Sequence, residues 1–136
     1  MLTVHHLNNS RSQRILWLLE ELGLEYQLKT YQRDPVTNLA PPELELVHPL
    51  GKSPVLTDDA ITVIESGAII DYILRHYGAG RLQPDVGSDG YEQYLQWLHY
   101  AEGSFMPLMI ITLILGRIET APMPSFAKPI AKKLAS

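Results

Sequence analysis

Apolar residues fall along this chain in two rhythms, and each change of rhythm marks an element boundary. From Leu2 to Leu7 a short, partly β-branched run leads into Asn8-Asn9-Ser10, the pattern of a strand that ends in a loop. Ile15, Leu16, Leu18, Leu19 and Leu22 then recur at helical spacing and predict a helix with one buried face, stopped at Gly23. Ser10 and Ser12 both qualify as its cap. Tyr26 to Tyr31 alternates apolar or aromatic with polar residues, as a second strand does. Strand, helix and strand joined by short links imply a right-handed βαβ unit. Gln32 to Val47 is rich in Pro, Asp, Asn and Glu, which predicts a mobile loop holding a short helix at Pro42 to Leu46.

The next stretch repeats the alternation. Val55-Leu56-Thr57 and Ile61-Thr62-Val63-Ile64 have strand composition and length, and Asp58-Asp59 between them offers turn chemistry, so they predict a hairpin. Pro54 stands at the entry of its strand, where a residue without an N–H is tolerated. After Ile64 the period lengthens: Ala68, Ile69, Tyr72, Ile73 and Tyr77 mark a helix, with Ser66 placed to cap it. The order β-α-β-α-β-β-α predicts a four-stranded mixed sheet with helices on its faces, an α/β thioredoxin-like domain over residues 1–80. Four glycines and one proline between Gly78 and Gly90 mark a linker, set at 81–90. Residues 91–136 predict a partial all-α domain. In it Tyr91, Tyr94, Leu95, Leu98, Phe105, Leu108 and Met109 lie along one long helix, apolar nearly all round from Phe105 to Leu115 and so expected between other helices. Gly116 to Pro124 is expected to break it, and Ser125 to Leu134 to begin another.

Composition narrows the function classes. The 136 residues carry a net charge of −4 with scattered Lys and Arg and no basic stripe, which argues against a nucleic-acid surface. With no cysteine there is no disulfide, no Cys-based metal site and no thiol nucleophile, so dithiol and monothiol glutaredoxin chemistry is excluded. The start MLTVHHLNN lacks the features of a secretory signal, which makes a cytoplasmic address the default. Phe105 to Leu115 is too short to span a bilayer and contains Pro107, so no membrane role is expected. His5 and His6, adjacent in a strand, face opposite ways, and His48, His76 and His99 lack metal-ligand spacing; no metal is expected. Trp17, Tyr94, Trp97 and Tyr100 lie in helices, where aromatics are usually core.

Glu65-Ser66-Gly67 brings a carboxylate, a hydroxyl and free amide groups to the positive end of a helix, a place that attracts anions. Together with GKSPVL ahead of it, in the order Pro-loop, hairpin, Glu-Ser, helix, the segment IESGAIIDYI resembles the glutathione-binding half of the cytosolic glutathione S-transferases, of the bacterial and fungal type. The resemblance is close over the first eighty or so residues and looser beyond. It implies a cis-prolyl turn at Ser53-Pro54-Val55, with the Val55 backbone pairing with the cysteine of glutathione like an added strand. It further implies that Glu65 and Ser66 hold the γ-glutamyl end and that Lys52 lies near the glycine carboxylate. A full transferase of this family continues through several further helices, so the resemblance implies that the chain is truncated in its helical domain, and it is expected to leave Ile110, Ile111 and Ile114 uncovered and to self-associate or be poorly soluble.

The chemistry that the resemblance implies is activation of a thiol. A free thiol has a pKa of about 8.5, so only a few per cent is thiolate at neutral pH. A small donor at the end of the first strand, above the first helix, would stabilise the anion. Asn8-Asn9-Ser10-Arg11-Ser12 is that place, and the candidates are Ser10, then Asn9, then Ser12, with mere capping as the alternative for all three. No early tyrosine is present to do this work. Arg11 is either a carboxylate ligand or a solvated helix-start arginine. The expected activity is conjugation of glutathione to a small apolar electrophile, in a homodimer with glutathione as co-substrate. Alternatives are a non-catalytic interaction module and a glutathione-dependent disulfide reductase or peroxidase of the same fold.

Overall fold

The computed structural model describes residues 1–120 and Pro129. It divides into two compact units, Met1–Tyr91 and Glu92–Ser136. The first contains β1 (Leu2–Leu7), α1 (Ser12–Leu22), β2 (Gln27–Tyr31), a single 3-10 turn (Pro42–Leu44), β3 (Val55–Asp58), β4 (Ile61–Ile64) and α2 (Ser66–Tyr77). The sheet order is β2-β1-β3-β4, with β1 parallel to β2 and antiparallel to β3, and β4 antiparallel to β3. This is the expected thioredoxin-like mixed sheet.

Alternation along β1 sends its side chains into two packing layers. Leu2 and Val4 are buried on one side of the sheet, where α1 packs on β1 and α2, and where Ile15, Leu19, Ile69 and Ile73 are also fully buried or nearly so. Leu7 faces the other way and clusters with Tyr31 and Leu44, the one buried residue of the 3-10 turn. Burial of a side chain such as Ile15 or Leu44 contributes about 1.5–3 kcal/mol. The helix expected over Pro42 to Leu46 therefore shrinks to the one turn that Leu44 anchors. The second strand begins at Gln27 rather than Tyr26 and is exposed at every position but Tyr31, as an edge strand is.

Gly23 ends α1 in the left-handed conformation at φ 64°. There its N–H reaches the Glu20 carbonyl and that of Leu24 reaches the Leu19 carbonyl, both at 3.0 Å. The linker contributes too: Arg81 Nη2 donates to the Leu22 carbonyl at 2.7 Å, a cation on the negative end of the helix. Neither expected residue sits at the N-cap, since Arg11 occupies that position without a side-chain cap bond and Ser12 is already the first helical residue, although Ser10 Oγ accepts the Ser12 N–H at 3.3 Å. The hairpin also shifts by one residue. Asp58 belongs to β3, paired with Leu2 and Ile61, and the reversal falls on Asp59, at φ 50°, and Ala60.

In the second unit α3 (Tyr91–Tyr100) continues through a π-helical turn (Ala101–Phe105) into α4 (Met106–Thr120). Pro107 has no N–H to give to the preceding turn, and the wider turn just before it lets the helix absorb that loss. No break falls between Gly116 and Thr120, where α4 continues, because a lone glycine costs a helix only about 1 kcal/mol relative to alanine; the rest of the expected break, up to Pro124, lies outside the described residues. The helix expected at Ser125 to Leu134 lies outside the described residues. Burial was misjudged for three aromatics: Trp17, Trp97 and Tyr100 are exposed, Trp17 at 69%. Leu108, Met109 and Leu113 are exposed too, and so are Ile110, Ile111 and Ile114, as expected of a face without cover. The run from Phe105 to Leu115, too short to span a bilayer by itself, does not stand alone. It forms part of a helix from Tyr91 to Arg117, whose 27 residues and best 18-residue window of mean hydropathy 1.4 suffice by length and composition alone, a test that core helices of soluble proteins also pass.

Candidate functional site

The C-terminal end of β1, the start of β3 and the start of α2 meet because of the strand register. His5 pairs with Val55, and Val55 pairs with Ile64, so the chain just before Val55 lies between the loop after Leu7 and the residues after Ile64. That loop is Asn8 to Arg11. The residues after Ile64 are Glu65 and Ser66.

Three serine hydroxyls converge there. Ser10 Oγ lies 2.7 Å from Ser12 Oγ and 3.4 Å from Ser53 Oγ, and it accepts the Ser12 N–H at 3.3 Å. Ser53 donates to the His5 carbonyl at 2.8 Å and accepts the Leu7 N–H at 3.3 Å, which ties the proline loop to β1. Ser12 Oγ contacts His6 Nδ1 at 2.8 Å and donates weakly to the Leu7 carbonyl at 3.5 Å. Ser10 is half-buried, whereas Ser12 is fully buried beneath it with its hydroxyl already held between His6 and Ser10. Asn9 is exposed with φ 51°, and its side chain takes no part in the serine cluster.

Sequence reasoning missed what holds the Asn8–Arg11 loop. The Arg33 N–H donates to Asn8 Oδ1 at 2.8 Å, its Nε to the Asn8 carbonyl at 3.1 Å and its Nη2 to the Asn9 carbonyl at 3.5 Å. One side chain just past β2 thus fixes the loop through its backbone. The signal available was a single arginine at the start of a polar loop, which gave no hint of that reach. On the sheet face opposite α1, the His5 ring contacts the Tyr31 hydroxyl at 2.9 Å. Burial, and secondarily the Lys29 ammonium, lowers the His5 pKa and favours its neutral form.

The Ser53-Pro54 bond is cis. Pro54 and Val55 are buried, Ser53 is half-buried and Lys52 is exposed. Val55 sits in an inner strand with β1 on one side and β4 on the other. An added strand finds no open edge at Val55 itself, and the nearest backbone beyond the ladder is Ser53-Pro54.

Helix α2 starts differently from the sequence expectation. Glu65, not Ser66, is the N-cap, held at φ 70° without a side-chain cap bond. A non-glycine residue in that conformation stores about 1–3 kcal/mol, a feature that concentrates at functional sites. Ser66 is the first helical residue; it is only 2% exposed, and its Oγ is buried without a hydrogen-bond partner. The first-turn N–H groups of the helix lack intrahelical acceptors, so an orphaned hydroxyl and orphaned amides share one spot. Among the described residues no group of three or more His, Asp or Glu is placed to hold a metal ion. A separate open cleft of about 620 Å³, lined by Met1, Leu24, Tyr26 and Tyr77 among others, lies at the Leu2 end of the sheet, away from these groups.

Comparison with known proteins agrees with this fold. Residues 1–75 match the family model described as Glutathione S-transferase, N-terminal domain. The chain is 43% identical over 136 residues to Glutathione S-transferase 3 of Schizosaccharomyces pombe, matching 100% of this chain and 55% of that protein. It superposes with a TM-score of 0.76 and 35% identity on a glutathione S-transferase from Actinobacillus pleuropneumoniae, covering 99% of this chain and 61% of that one. A glutathione transferase from Phanerochaete chrysosporium, solved with oxidised glutathione, gives a TM-score of 0.74 at 26% identity, covering 98% and 62%. The chain thus spans a little over half the length of the relatives it matches. On the family match and the full-chain identity, this protein belongs to the glutathione S-transferase family.

Proposed function

We propose that this chain binds glutathione between the Asn8–Arg11 loop and the start of α2, and that the full-length form of the protein activates its thiol for conjugation to a small, largely apolar electrophile. The observation that carries the reading is the buried Ser66 hydroxyl, without a partner at the first residue of α2. A buried polar group left unsatisfied costs about 1–3 kcal/mol, and a ligand carboxylate that accepts from it and from the adjacent amides removes that cost.

In this reading Glu65 takes the α-amino group and Ser66 the α-carboxylate of the γ-glutamyl end. The cysteine backbone lies along Ser53-Pro54, displaced from Val55 because Val55 is flanked on both sides, and Lys52 faces the glycine carboxylate. Ser10 donates to the thiolate, Asn9 stands behind it as the second candidate, and Ser12 acts through Ser10. The binding domain is residues 1–80, followed by the linker 81–90 and a partial helical domain at 91–136. A cytoplasmic homodimer, with no metal, nucleic acid or membrane involved, completes the proposal.

A second reading has one observation in its favour: the Phanerochaete chrysosporium relative holds oxidised glutathione. A disulfide reductase or peroxidase of this fold without cysteine would use the thiolate of glutathione itself as nucleophile.

Retention of the 136-residue chain on immobilised glutathione, with elution by free glutathione, is the expected result. Passage straight through the column would end the binding proposal. Initial rates with an electrophile against rates with a low-molecular-weight disulfide then separate conjugation from disulfide exchange.

A further inference from the structure

The serine cluster has fewer hydrogens than acceptors, so its direction is set from outside. Ser53 spends its one hydroxyl hydrogen on the His5 carbonyl. The remaining chain is His6 Nδ1, Ser12 Oγ and Ser10 Oγ, with successive distances of 2.8 and 2.7 Å, both far shorter than the 3.5 Å from Ser12 Oγ to the Leu7 carbonyl, so the Ser12 hydrogen goes to one of these two neighbours. Each hydroxyl has one hydrogen to give. If Nδ1 is bare, Ser12 donates to it and Ser10 donates to Ser12, which turns the Ser10 hydrogen away from any ligand. If Nδ1 carries a hydrogen, every bond reverses: His6 donates to Ser12, Ser12 donates to Ser10, and the Ser10 hydrogen, with Ser53 Oγ at a long 3.4 Å as its competing acceptor, becomes available to a ligand in the cleft.

We propose that His6 is a positioning residue that carries its hydrogen on Nδ1 and so aligns Ser12 and Ser10, leaving the Ser10 hydroxyl free to donate to a bound thiolate. The inference rests on the reading of Ser10 as the thiolate donor and adds the group that makes it one. His6 is suited to the part by place. It lies on the side of β1 that faces α1, half-buried, with the first residue of α1 in contact and Thr30 of β2 beside it in the sheet. His5, on the opposite face, serves Tyr31 and Thr57 and has no access to this chain. Either the Nδ1–H tautomer or the imidazolium satisfies the requirement, so the device needs no titration to operate.

The ring nitrogens report it directly. In a long-range ¹H–¹⁵N spectrum of the full 136-residue chain, His6 Nδ1 is expected at the shift of a protonated nitrogen, with and without glutathione. A bare Nδ1 overturns the inference whatever glutathione does. The second measurement is the pKa of the bound glutathione thiol, read from thiolate absorbance. His6→Ala is expected to lower the thiolate fraction at neutral pH about tenfold, one pKa unit, while the dissociation constant changes less than twofold. His6→Asn, which keeps an N–H near the Nδ1 position, is expected to restore it. An unchanged thiol pKa in folded His6→Ala overturns the inference. Ser10→Ala separates the two levels: if it too leaves the thiol pKa unchanged, the Ser10 reading fails, whereas a shift in Ser10→Ala alone removes only His6.

Discussion

The two ends of the β1–β3 pair treat their polar groups in opposite ways. At the Leu2–Asp58 end the Asp58 carboxylate accepts from the Tyr72 hydroxyl at 2.9 Å and from the Tyr77 hydroxyl, and pairs with the Met1 ammonium at 3.1 Å. Asp59 adds a second contact to the same ammonium at 2.7 Å. At the Leu7–Ser53 end three hydroxyls share too few hydrogens, Glu65 holds a strained backbone, and Ser66 Oγ has no partner. One end spends its hydrogen-bonding capacity on the fold and the other keeps part of it in reserve. Stability and ligand affinity should therefore be separable by mutation along the same two strands.

The largest effect is expected at the saturated end. Asp58→Ala leaves two tyrosine hydroxyls without their acceptor and should cost about 3 kcal/mol in urea denaturation. Glutathione affinity of the folded fraction should stay within twofold. A tenfold loss of affinity would show that the two ends are coupled and break the comparison.

Next comes the orphaned hydroxyl. Ser66→Ala should weaken glutathione binding about tenfold, or about 1.4 kcal/mol, by calorimetry. The same change should raise stability by about 1 kcal/mol, since it removes an unsatisfied buried group. Opposite signs from one substitution are the signature of a group held for a ligand. Parallel losses would make Ser66 a structural residue.

Smaller effects follow with pH. The tyrosine hydroxyls and the Met1 ammonium hold the Asp58 carboxyl below its ordinary 3.8, even though its burial opposes this. Its contribution is thus present above that value and fades as the pH drops through the lower folded value. The bond to Asp58, with burial second, pushes the Tyr77 hydroxyl up to about 12 from an ordinary 10.0, so its contribution is complete below 10.0 and disappears as the pH rises to about 12. Tyr77→Phe should flatten the alkaline limb of a stability-against-pH curve and leave glutathione binding unchanged. An unaltered alkaline limb would deny Tyr77 that role.

How far these two ends could be read from sequence differs too. Period and turn chemistry located all four strands, α1, α2 and the Gly23 stop, because hydrophobic spacing reports local structure directly. It was the resemblance to the glutathione-binding half of the family that grouped Ser53-Pro54, Glu65 and Ser66, which follow one another through a single hairpin. What it could not carry was conformation and reach. Ser66 appeared as a cap because serine favours that position, but the positive φ of Glu65 starts the helix one residue earlier than that reading allows. Val55 looked available for pairing until the strand order put neighbours on both of its sides. Arg33 closing on the Asn8 carbonyl, His6 reaching Ser12 and Tyr77 reaching Asp58 are contacts between separate elements, and no local pattern encodes them. Gly116 set the start of the expected break too early for another reason: α4 runs on to Thr120, since a helix tolerates one glycine and its presence alone marks no boundary.

The most direct test is an amide ¹H–¹⁵N titration of the chain with glutathione. Shifts should concentrate at Ser10, Ser53, Ser66 and Gly67 and leave Asp58, Tyr72 and Tyr77 in place. Saturable shifts centred on the Asp58 end, or none anywhere at millimolar glutathione, would contradict the assignment of the ligand to the unsaturated end.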